Sequence, residues 1–259
     1  MNKNNTHHSM KHLCLKSLLA IATLAAASSG YAQIYYADFG NGSIGSGLST
    51  GNIVNFNSTA NDARTLIDFA TGATSTISVT TAGFGNLNAS NGGIYANPSS
   101  ANTFVKPAGM DEFGSINGNN TVFGAATLTI SGLSASMTYE LTFGSNRNNA
   151  TSRPSIFTIT GADAFTNSSD ATISTRTLAN DTTTVIAGNN NAGLVARFTG
   201  INAGADGTFV INMSTTSNSG DLFYINGLNL TAIPEPSTYA LLVGALVLVG
   251  AMSRRRRRA

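Results

Sequence analysis

Apolar and polar side chains alternate in short runs through the middle of the chain, and Gly and Asn interrupt them at close intervals. In Thr138-Tyr139-Glu140-Leu141-Thr142-Phe143, the side chains of Tyr139, Leu141 and Phe143 fall on one side and those of Thr138, Glu140 and Thr142 on the other. That period of two predicts a half-buried strand. Comparable runs predict strands over 64–69, 76–80, 126–130, 155–160, 172–178, 194–198, 208–213 and 222–230. Turn chemistry separates them at Gly92-Gly93, Asn117-Gly118, Gly188-Asn189, Asp206-Gly207 and Asn226-Gly227. Residues 83–118 read as a long irregular loop. No helical period occurs outside the two ends. Many short strands with turn signals predict an all-β chain folded as an antiparallel β-sandwich.

The two ends follow another pattern. Lys3, Lys11 and Lys16 precede an apolar run from Leu18 to Ala27, and Gly30-Tyr31-Ala32 is a small-x-small site. This predicts a signal helix over residues 1–32, removed between Ala32 and Gln33 by signal peptidase after passage through the secretion translocon. At the other end, Pro234-Glu235-Pro236-Ser237 precedes an uncharged run from Tyr239 to Met252 and the cluster Arg254, Arg255, Arg256, Arg257 and Arg258. The run is short against the roughly 20 residues of a spanning helix. It reads as a transmembrane helix if its flanks enter the interface and the bilayer thins. The arginines then remain cytoplasmic. Prolines on both sides of Glu235 deny a helix there and leave an extended strip open to a protease. The expected organisation is a signal peptide over 1–32, a β-sandwich domain over 33–232 and a sorting or anchor segment over 233–259.

Charge and composition change once the ends are set aside. Between residues 33 and 233 the basic residues are Arg64, Lys106, Arg147, Arg153, Arg176 and Arg197, against eleven acids from Asp38 to Asp221. The formal charge of +2 for the whole chain thus belongs to its ends. No basic patch is present to neutralise phosphates, so nucleic acid is not an expected partner. His7, His8, His12 and Cys14 all precede the apolar run of the signal, and the chain has no tryptophan. The mature part therefore lacks a disulfide, a His-based triad and any His or Cys metal site. Carboxylate chemistry is all that stays open. Its one adjacent pair, Asp111-Glu112, is poorly placed to flank a glycosidic bond. We expect no enzyme, no catalytic residues and no cofactor. Asn202 to Gly207 faintly resembles a calcium loop but carries one carboxylate, Asp206, which leaves a structural calcium elsewhere open.

The Pro-Glu-Pro-Ser motif, the apolar run and the arginine cluster, in that order at the C-terminus, closely resemble the PEP-CTERM sorting signal of Gram-negative bacteria. The resemblance implies an exosortase as partner, a membrane-embedded thiol transpeptidase that cuts near Pro-Glu-Pro. It also implies transient anchoring in the inner membrane and delivery to the cell surface or extracellular matrix, often beside exopolysaccharide. A second resemblance covers most of residues 34–231. The Asp38-Phe39-Gly40 opening, Thr138 to Ser145 with Arg147, Arg153 to Gly161, and Tyr224 to Leu230 look like jelly-roll modules of bacterial surface proteins, similar to galactose-binding-like and malectin-like domains. That class includes glycan binders and structural spacers.

Three roles follow: a structural surface protein, a carbohydrate-binding module, and a glycoside-active enzyme. Asn146, Arg147 and Arg153 offer amide and guanidinium donors suited to sugar hydroxyls, and Tyr224 offers a ring to stack on a pyranose. Each has a plainer reading: a solvated loop whose Arg147 pins the sandwich edge, and a core tyrosine. Asp38 reads more readily as a turn residue before Gly40 than as a ligand carboxylate.

Overall fold

The computed structural model describes residues 32–39, 52–56, 62–87, 116–118, 126–145, 153–169, 174–176, 181–187, 195–215, 223–235, 244 and 246. Among these residues, sixteen strands follow in chain order. The first six are β1 (Gln33–Phe39), β2 (Ile53–Phe56), β3 (Ala63–Ile67), β4 (Thr74–Ala82), β5 (Phe84–Leu87) and β6 (Ile116–Gly118). The next five are β7 (Ala126–Ser131), β8 (Met137–Gly144), β9 (Arg153–Thr160), β10 (Ala164–Asn167) and β11 (Ser174–Arg176). The last five are β12 (Thr182–Ala187), β13 (Val195–Asn202), β14 (Phe209–Ser214), β15 (Tyr224–Ile225) and β16 (Gly227–Pro234).

Two sheets form a sandwich. One has the order β10-β13-β8-β16-β1-β2, the other β11-β12-β9-β14-β7-β4-β3. Antiparallel pairing prevails, and β1 with β2 is a parallel pair. There is a small third sheet, β15-β6-β5: β5 and β6 lie where the sequence predicts only an irregular loop, and β15 lies within the strand predicted over 222–230. Phe84 and Leu87 pair with Gly118 and Ile116 across a chain gap rich in Gly, Asn and Ser, a composition that hides strand partners from a local reading. Residues 88–115, with Asp111 and Glu112, lie outside the described residues.

The central alternation settles as predicted. Tyr139, Leu141 and Phe143 of β8 are buried, while Thr138, Glu140 and Thr142 are half-buried on the other face. On that outer face Arg197 of β13 meets Glu140 at 2.9 Å. Phe143 stacks on Phe157 of β9 with centroids 5.2 Å apart and rings 4° from parallel, so this pair joins the two sheets. Ile159, Ile211, Leu128, Ile130, Leu228 and Leu230 complete the centre, and Phe39 stacks on Phe56 and Phe84 at its flank. A slip of one residue in β8 would turn its three large apolar side chains outward together, so this core holds the register.

Other contacts between the sheets are polar. The Asn167 amide of β10 donates to Thr183 Oγ1 of β12 at 2.8 Å, and that hydroxyl donates back to Asn167 Oδ1 at 3.1 Å. Both residues are buried, and each satisfies the other as a dry interior demands. Asp38 is a correction to its sequence reading. It is a fully buried strand residue of β1 opposite Gly227, not a turn residue, because the ladder to β16 runs past it to Phe39, whose N–H donates to Asn226 O at 2.9 Å.

Residues Gln33–Ile233 make one compact unit, and Met1–Ala32 and Pro234–Ala259 fall outside it. Gly244 and Leu246 are helical. Among the described residues no helix is long and apolar enough to cross a membrane.

Candidate sorting site and adjoining cleft

The sorting site is built on the last strand. In β16, Leu228, Leu230 and Ala232 turn inward and are buried, while Asn229 and Thr231 are half-buried. Their alternation carries the strand to the motif itself, and Pro234 is its final residue. Proline fits there because a terminal strand position needs no ladder N–H. Two neighbours hold this end. Gln33 and Ile34 of β1 stand opposite Ala232 and Thr231, and Thr138 Oγ1 of β8 donates to Ile233 O at 3.4 Å. Ile233 is exposed, Pro234 and Glu235 half-exposed. No spacer separates the sandwich from the Pro-Glu-Pro motif. Pro236, Ser237 and Arg254 to Arg258 lie outside the described residues.

Ala32 is exposed immediately before β1. Because Gln33 faces Ala232, the predicted signal-peptidase bond and the sorting motif leave the sandwich side by side, at the same end.

Three strand pairs mark the opposite end of the sandwich. Gly144 pairs with Val195 there, Arg153 with Ala187, and Ala126 with Met213. The segments 146–152 and 188–194 join strands at that end. Asn146 and Arg147 are outside the described residues, and Arg153 opens β9 opposite Ala187. Tyr224 is a correction: at 1 % exposure it is a core residue with no ring face to offer a sugar. Its N–H donates to Ser155 Oγ at 2.9 Å, and Ser145 Oγ donates to the same oxygen at 3.1 Å. This stitch binds the ends of β8 and β9 to β15 inside the protein. Two serine hydroxyls and a backbone N–H from much later in the chain make it, and no local pattern marks them.

A cleft of about 290 Å³ opens beside the sorting end, lined among others by Gln33, Tyr35, Ser75, Ser134, Tyr139 and Ala232. Much of its polar chemistry is engaged within the protein. Tyr35 donates to Gln33 Oε1 at 3.0 Å, Ser134 N–H donates to Tyr139 Oη at 2.7 Å, Ser75 donates to Leu66 O at 2.8 Å, and Thr76 to Gly132 O at 2.9 Å. Burial pushes Tyr35 up to about 12, with the nearby Asp68 carboxylate and Tyr139 adding to the shift. Burial raises Tyr139 as well, against the hydrogen bond from Ser134. Both phenols stay protonated donors at neutral pH.

In the loop after β13, Asn202 Oδ1 accepts from Gly204 N–H at 2.9 Å and Asp206 Oδ1 from Thr208 N–H at 3.3 Å. These oxygens cap the turn's own amides. No group of three His, Cys, Asp or Glu side chains suited to a metal ion occurs among the described residues.

No curated protein matches the chain. A family model does match its end: the PEP-CTERM protein-sorting motif fits residues 232–258. The match begins at Ala232, inside β16, and runs through the arginine cluster to Arg258. The chain therefore carries a PEP-CTERM sorting signal at its C-terminus, which marks it as an exported protein processed by an exosortase.

Proposed function

We propose that this protein is a non-enzymatic structural unit of the cell surface or the extracellular matrix, associated with exopolysaccharide. The secretion translocon and signal peptidase deliver it, its C-terminal helix anchors it briefly in the inner membrane, and the exosortase releases it from there. The observation that carries the reading is the opposition of the two ends of the sandwich. The sorting motif leaves one end, opposite Gln33, while the Asn-rich segments 146–152 and 188–194 join strands at the other. Such a module is handled at one end and leaves its far end, where those Asn-rich segments connect, for contacts with the matrix. Its hydroxyl-lined cleft supports a structural role as well, because bonds within the protein engage those hydroxyls.

The second reading is a carbohydrate-binding module. Its support is the closeness of the ends of β8 and β9, which flank Asn146 and Arg147 and bring Arg153 to the same end. A glycan array and co-sedimentation with the host's exopolysaccharide, both with the mature protein, separate the readings. Retention in the matrix fraction with no array signal is the expected result. Saturable binding lost in an Arg147→Ala, Arg153→Ala double variant would establish the second reading. Release of reducing ends from polysaccharide would overturn both.

A further inference from the structure

The sorting signal and the fold share residues, and that overlap constrains the exosortase. A peptide bond is cut when the backbone around it can be drawn out extended into an active site. Bonds inside a paired strand are withheld until the strand opens. β16 is an interior strand, with β8 on one side and β1 on the other. Its ladder to β1 continues to the pair Gln33–Ala232. Beyond that pair, Thr138 still holds the carbonyl of Ile233. Ala232 is buried, so peeling the end of β16 exposes apolar surface as well as breaking hydrogen bonds. The matched motif nonetheless begins at Ala232.

We propose that the folded sandwich sets the position and the pace of exosortase cutting. The peptide bonds up to Ile233–Pro234 are withheld by β16, and the bond that breaks lies on the C-terminal side of Pro234. In that step the acyl carbon stays with the sandwich, the amine of the tail leaves with a proton, and an amine or water takes the acyl group. The mature protein keeps an intact β16 with Pro234 at or near its end. Because the motif follows the strand without a spacer, the fold crowds the enzyme and slows it.

The test uses the full-length chain in its host. Mass spectrometry of the released protein reads its last residue, and a C-terminus that includes Pro234 is expected. An end at Ile233 or earlier overturns the proposal. A variant with Gly-Ser-Gly-Ser-Gly-Ser inserted between Ile233 and Pro234 displaces only the last residue of β16 and keeps the ladder up to Ala232. Pulse-chase labelling then follows the loss of the precursor. A several-fold shorter precursor lifetime is expected, since the motif no longer abuts the strand. An unchanged lifetime overturns the claim that the fold sets the pace. A tail kept on every exported molecule, wild-type and variant alike, would overturn cutting itself and with it this proposal.

Discussion

Phe143 and Thr142 are adjacent in β8 but have opposite surroundings. Phe143 is fully buried against Phe157, while Thr142 lies half-buried on the outer face. Phe143→Ala should cost about 3–5 kcal/mol in denaturant melts of the mature domain, from lost transfer energy and a cavity. Thr142→Ala should cost less than ~1 kcal/mol. Equal losses would show that the strand faces the other way. Tyr35 makes a second prediction at this scale. Its phenol ionises near 12 in the folded protein and near 10 when unfolded, so the folded state holds the proton more tightly. Its contribution to stability is complete below about pH 10 and fades as pH rises through about 12. Thermal melts across this window should show wild-type stability falling more steeply than that of Tyr35→Phe. Parallel curves would place the late-titrating group elsewhere. Tyr139, Leu141 and Phe143 were legible as core because their alternation is unbroken. Tyr224 was ambiguous, since a ring next to a polar stretch reads equally as platform or as core. Its burial inside the fold, at 1 % exposure, settles it.

Among the elements, those with alternating apolar residues could be read and those held by polar pairs could not. β7, β8, β9 and β14 follow their patterns closely. β12 begins with three threonines, and one of its buried residues, Thr183, is satisfied by Asn167 of β10 rather than by apolar neighbours. Neither strand has the hydrophobic signal that would give it away. β2 is four residues long, and its parallel pairing with β1 depends on topology, which no local pattern encodes. Turns are where element-scale energetics can be tested. Gly132, after β7, has φ near +75°, and a Cβ there would overlap the carbonyl oxygen of Thr76. Gly200, in β13, has φ near +59° with open space around it. Gly200→Ala should cost about 1–2 kcal/mol for the left-handed backbone alone. Gly132→Ala should cost clearly more, because β4 must also move. Urea midpoints of the two variants compare them directly, and similar losses would mean that β4 yields without strain.

At the scale of the whole molecule, the absence of cysteine after Cys14 leaves stability to the core and its polar stitches. Reducing agent should leave the Tm of the mature protein unchanged. A shift would reveal that Cys14 is retained and bridges two copies of the chain. The sorting signal was readable because its three parts are contiguous and ordered. The reach of the last strand was not: the alternation predicts a strand ending at residue 230, whereas β16 runs on to Pro234, since the apolar residues preceding Pro234 look the same in a linker as in a sheet.

The pairing of β1 with β16 also governs when this protein can fold. The first strand of the domain lies between β2 and the final strand, so its sheet stays open until almost the whole chain has crossed the membrane. Contacts so distant in sequence close late and slowly. The chain thus remains threadable throughout its export. The sandwich is completed only once β16, the strand that runs into the sorting motif, is in place. Moving β1 to follow β16 by circular permutation would remove that delay, and a chain that closes early is expected to jam in export.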